Sequence, residues 1–153
     1  MKIDSEVEDL GREALVAAVA EDIDRFIAAL DAIAAKGQET RMAVLRLYVA
    51  IGRAALIAIH QGGIPSERQN RELAEKAVKA ESTWSPVTVE DVYALLEGFC
   101  VDDKMPDIAP ERFISTLFIT VNYMLSWYSG GQGYESFYDF LDAILNTIEA
   151  APD

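Results

Sequence analysis

The sequence predicts an all-α protein, a single-domain bundle of about six helices around an apolar central helix at about 40–61. Three observations predict it. Apolar residues recur at helical spacing through almost the whole chain, and no stretch holds the strict alternation of a half-buried strand. The breaks are short and carry Gly, Pro, Ser or Thr, the residues that stop and start helices. Half of the 153 residues are hydrophobic, 51%, which at this length supports a substantial core without a metal or a disulfide.

The first apolar stripe runs Val7, Leu10, Leu15, Val19, Ile23, Phe26, Ile27, Leu30, Ile33, with Ser5 and Glu8 spaced as a capping box and Gly37 as its stop. As one helix it spans roughly 46 Å, so a division near Ala20 is open. The second helix, about Thr40 to Gln61, ends at Gly62-Gly63 and is apolar nearly all round, which places it at the centre. Pro65-Ser66 opens a charged third helix with Glu72/Lys76 and Glu75/Lys79 at favourable spacing and only Leu73, Ala77 and Val78 as an apolar stripe. Ser85-Pro86 interrupts it, and Thr88 with Asp91 caps a short helix reaching Phe99. Pro110 suits the first turn of a fifth helix to about Trp127. After the turn Ser129–Gly133, the last helix presents Phe137, Phe140, Leu141, Ile144, Leu145 and Ile148. The apolar runs 42–59 and 113–128 contain Arg46, Arg53 or several hydroxyl and amide side chains, and both are expected as buried core helices rather than membrane spans.

Charge narrows the function classes. The net charge is −13, opposed to gripping a phosphate backbone, so no direct nucleic-acid binding is expected. The same charge steers basic partners. It is unevenly placed: residues 36–79 hold eight bases against four acids, whereas residues 80–153 hold thirteen acids against Lys104 and Arg112. Twelve of the fourteen aromatic residues lie from Trp84 onward. Cys100 is the single cysteine and stands beside Asp102 and Asp103, which disfavour a thiolate; a small core residue is expected. His60 is the single histidine, so no multi-histidine metal site forms, and neither metal nor cofactor is expected. Met1–Glu6 lacks the charged-then-apolar pattern of a secretory signal, and the cytoplasm is the expected location.

Arg46, Arg53 and His60 lie seven residues apart and align along the central helix. Such a stripe either pairs with acids at the bundle rim or forms a cationic track. Arg53 and His60, six residues between them, resemble the Arg-x(4–6)-His signature of the HEPN ribonucleases. That resemblance implies an all-helical fold in which Arg53 and His60 act on RNA at a dimer interface, without metal.

The expected binding surface lies in the acidic, aromatic C-terminal half. Trp127, Tyr128, Tyr134 and Tyr138 flank the Ser/Gly-rich turn, with Glu135, Asp139 and Asp142 beside them and Asp102, Asp103 and Asp107 on an upstream acidic loop. Rigid aromatic anchors with adaptable Ser and Gly around them suit a protein interface. In gross properties the chain resembles bacterial immunity proteins, antitoxins and phage-encoded inhibitors, which implies a non-enzymatic protein that docks and neutralises a basic partner such as a toxin or nuclease. A HEPN-like ribonuclease is the enzymatic alternative, and a helical adaptor or homodimer the third reading.

Overall fold

The computed structural model describes residues 2–101 and 108–152. Among these are seven α-helices and no strand: α1 (Ser5–Val19), α2 (Ile23–Ala35), α3 (Gln38–Ile59), α4 (Glu67–Glu81), α5 (Val89–Cys100), α6 (Pro110–Tyr128) and α7 (Phe137–Ala150), with a 3-10 turn at Gly130–Gln132.

The first predicted helix is two. Ala20 ends α1, and Glu21 takes a left-handed φ of 55°. The amides of Glu21 and Asp22 then donate to the carbonyls of Ala18 (3.0 Å) and Ala17 (3.1 Å), the paired bonds of a Schellman turn. Asp22 starts α2 by accepting from the Arg25 amide at 3.1 Å. Folding the segment back as a hairpin lets both halves of a stripe too long for the bundle reach the core. At the chain start Asp4, not Ser5, is the cap, accepting from the amides of Glu6 (2.9 Å) and Val7 (3.2 Å). An aspartate there also places its charge at the positive end of the helix.

The other boundaries fall close to prediction. Ser66 and Gln69 form a reciprocal capping box on α4, Thr88 caps α5 through the Asp91 amide at 3.2 Å, and Pro110 is the first residue of α6. α3 ends at Ile59, with left-handed Gln61 rather than a glycine making its Schellman turn. On α4, Glu72 turns back to Arg68 at 3.1 Å instead of forward to Lys76.

The core is one continuous cluster drawn from every helix. α3 packs against α1, α2, α5, α6 and α7. By length and composition α3 is apolar enough to cross a membrane; in the bundle it buries Val44, Leu45, Leu47, Tyr48, Ile51, Gly52, Ala55 and Leu56. It shares the centre with α6, whose residues Thr116 to Leu125 are buried without interruption because α1, α3, α4, α5 and α7 all lie on it. Two glycines permit close approach at α3. A Cβ on Gly11 of α1 would stand 2.0 Å from Cε2 of Tyr48, and one on Gly52 would stand 2.5 Å from Cζ of Phe99. The Tyr48 hydroxyl donates to the Glu8 carbonyl at 3.0 Å, and its ring meets Phe118 at 4.9 Å. One side chain thereby ties α1, α3 and α6.

Candidate interaction surface

Only the last turn of α6, Ser126 to Tyr128, leaves the covered part of the bundle, which sets the exposure of its side chains. Tyr123 and Trp127, four residues apart, share a helix face, their ring centroids 5.8 Å apart. Tyr123 is buried, whereas Trp127 is 65% exposed, the most exposed large hydrophobic side chain among the described residues. Tyr128 is half-buried and meets Tyr123 edge-on at 6.1 Å. Burial first, and Tyr128 second, raise the Tyr123 phenol well above its ordinary value.

On another side of α6 a polar chain joins it to α4. The Ser126 hydroxyl donates to Asn122 Oδ1 (3.0 Å), the Asn122 amide donates to Glu81 Oε1 (3.3 Å), and the Trp84 indole donates to Glu81 Oε2. Glu81 is buried. Burial pushes its carboxyl above the ordinary range; the Trp84 hydrogen bond acts in the opposite direction, and the nearby Glu21 adds to the rise. A charged carboxylate at that depth is costly unless hydrogen-bonded, and the two donors are what hold it.

Beyond the turn, Gly133 adopts a left-handed φ of 83° and returns the chain into α7, which Ser136 caps through the Asp139 amide at 3.3 Å. Tyr134 stacks on Phe140 at 5.1 Å and is half-buried; it lines, with Gln132, Ala54 and Ile57, a groove between α3 and α7 of about 400 Å³. Tyr138 is 42% exposed and packs edge-on against Phe137 at 5.1 Å. Among the described residues, ring contacts therefore join Trp127 and Tyr128 through Tyr123, while Tyr134 and Tyr138 belong to two further groups. The predicted aromatic surface consists of two exposed anchors, Trp127 and Tyr138, with Tyr128 and Tyr134 set partly into the body.

The neighbouring acids divide as well. Glu135 and Asp139 are exposed. Asp142 accepts from Arg12 at 3.0 Å, and Arg12 also binds Glu8 at 3.0 Å. The fold thus brings Arg12 of α1 beside α7, a proximity no local pattern announces, while Arg25 of α2 is bound to Glu13 at 2.7 Å. Asp102, Asp103 and Asp107 lie outside the described residues.

On α3 the predicted polar stripe is graded: Arg46 is exposed, and Arg53 and His60 are half-buried. His60 closes the helix. Its Nδ1–H donates to the Leu56 carbonyl at 2.8 Å, which leaves Nε2 as the ring nitrogen outside that bond. His60 lines a cleft of about 170 Å³ with Gln69, Glu72, Lys76 and Tyr128. Arg53, two turns earlier and engaged in a contact of its own, is not among the residues lining that cleft.

Two features escaped the sequence reading. One is the Glu81–Asn122–Ser126 chain, hinted at only by Asn122 and Ser126 standing four apart on an apolar helix. The other is a cluster between α4 and α5, where buried Asn70 donates to Glu97 (3.0 Å) and to Cys100 Sγ (3.5 Å), and Tyr93 donates to Glu97 (2.6 Å) beneath Arg71, 4.2 Å from the Tyr93 ring. Cys100 is half-buried within it. No protein-family model, curated protein or solved structure matches this chain.

Proposed function

We propose that this chain is a non-enzymatic, cytoplasmic binding protein that docks a basic protein partner on its C-terminal surface and neutralises it, in the manner of immunity proteins, antitoxins and inhibitors. The exposure of Trp127 carries the reading. A tryptophan 65% exposed on a folded helix leaves a large apolar ring in water, and such rings are the commonest anchors of protein interfaces. Tyr138, Glu135 and Asp139 extend the surface, and the net charge of −13 steers a basic partner towards it. Partner proteins retained on the immobilised chain at low salt are purified and titrated against wild type, Trp127→Ala and Tyr138→Ala. Basic partners whose affinity falls about tenfold or more in Trp127→Ala and weakens with salt are expected; unchanged affinity in both variants sinks the proposal.

The ribonuclease reading draws on one observation, the placement of His60 at a small polar cleft. It requires RNA cleavage that persists in EDTA and is lost in His60→Ala, and absence of cleavage removes it.

A further inference from the structure

α2 carries two apolar stripes, and the core uses one. Phe26, Ala29 and Ile33 point inward and are buried. Roughly 100° round the helix, Ile23, Ile27, Leu30 and Ala34 follow one another at intervals of four, three and four residues, the spacing of a helix-packing seam. Ile23 is 37% and Ile27 49% exposed, Ala34 is exposed and Leu30 half-buried. α1 lies on the opposite flank, where Ala29, Ala32 and Lys36 share a groove with Leu10 and Glu13, and Arg25 is tied to Glu13. Trp84 packs on the core stripe, its ring edge-on to Phe26 at 5.5 Å, and Phe26 is the chain neighbour of Ile27 in the second stripe. Along the outer edge stand Asp24 and Asp31, both exposed and in no ion pair among the described residues. Arg25, the only base within α2, faces away.

We infer that this stripe is a second docking face and that its occupant is a basic amphipathic helix of a partner protein. Leu- or Ile-like side chains would cover Ile23, Ile27, Leu30 and Ala34, with Lys or Arg beside Asp24 and Asp31. A second copy of the chain fits poorly. In an antiparallel two-fold pairing the edge holding Asp24 and Asp31 meets its own copy, like charge against like, between bodies each carrying −13. The inference shares with the reading above the preference for a basic partner and lies on α2 rather than on α6 and α7; Trp84, in ring contact with Phe26 of α2, and Trp127 of α6 are read one at a time by replacing the other.

The probe is a synthetic amphipathic helix of Leu, Lys and Ala, about 18 residues or five turns long, with leucines at seam spacing. In Trp127→Phe, where Trp84 is the sole reporter, titration is expected to shift the emission saturably. Affinity is expected to fall about tenfold or more in Ile23→Ser/Ile27→Ser, and similarly in the charge reversal Asp24→Lys/Asp31→Lys, which leaves the seam intact. Both variants alter exposed side chains, and far-ultraviolet circular dichroism checks that they fold. Equal affinity in either variant overturns the inference. So does emission that responds only through Trp127 in Trp84→Phe, which would leave the C-terminal surface as the sole docking face. Peptide-independent dimerisation abolished by Ile27→Ser would overturn it in favour of a second copy.

Discussion

Single atoms decide several features of this bundle. Gly11 is one, because any side chain there meets the Tyr48 ring. Overpacking a filled core costs about 1–3 kcal/mol, so Gly11→Ala is expected to lower the unfolding free energy from urea titration by an amount in that range. Tyr48→Phe keeps the ring and loses only the bond to the Glu8 carbonyl, an expected loss of about 1 kcal/mol in the same measurement. Glu81 makes a prediction about pH. Its carboxyl is raised in the fold, so as pH climbs past the ordinary glutamate value, about 4.3, the unfolded chain releases this proton first. The native state then holds the extra proton, and stability falls with rising pH until the raised value is passed. Glu81→Gln is expected to remove that fall, so urea midpoints at stepped pH should separate wild type from variant above pH about 4.3 and converge below it. None of these three roles was legible in the sequence, for a common reason: a glycine, a tyrosine and a glutamate at helical positions look like ordinary members of their stripes until the facing helix is known.

At the scale of the element, local signals did more. Thr88, Pro110 and the Pro65-Ser66 pair mark helix starts because capping is chemistry between a side chain and amides two or three residues away, and all three start helices here. The Ser66–Gln69 box predicts that Ser66→Ala costs about 1 kcal/mol, with faster amide hydrogen exchange confined to the first turn of α4. The Ala20 break was only half legible. Its left-handed residue is Glu21, not the glycine that usually announces a Schellman turn, and the same holds for Gln61 after α3. α2 shows the opposite difficulty. Its apolar positions all read as one broad stripe, and only the placement of α1 and Trp84 divides it into a covered part and a bare one. The candidate surface on α6 and α7 was legible in composition but not in exposure, since Trp127 and Tyr123 look equivalent until the packed fold buries one of them.

For the molecule as a whole, the sign of the salt response separates folding from binding. Thirteen excess negative charges on a chain of 153 residues repel one another in the compact state, and salt screens that repulsion over about 10 Å at 0.1 M. Thermal stability is therefore expected to rise as sodium chloride is added, followed by circular dichroism, while affinity for a basic partner falls over the same range. A melting temperature that drops with salt would mean that the pairs at Arg12, Arg25 and Arg112 outweigh the general repulsion. The fold class and its helical periods came from the sequence because they are properties of neighbours. Which acids stay bare did not, because Arg12 reaches Asp142 across 130 positions.

The burial of α6 has a consequence in time. α1 with α2 and α4 with α5 are hairpins of consecutive helices, whose contacts need only short loops to close. As the chain leaves the ribosome these pairs can form in order, each still showing the apolar face that α6 will cover. Nothing upstream substitutes for it, since α1, α3, α4 and α5 all converge on the same ten residues, Thr116 to Leu125. A chain halted before Pro110 is therefore expected to expose those apolar faces, the kind of surface that draws chaperones and proteases. Closure comes with α6, onto which α7 then packs.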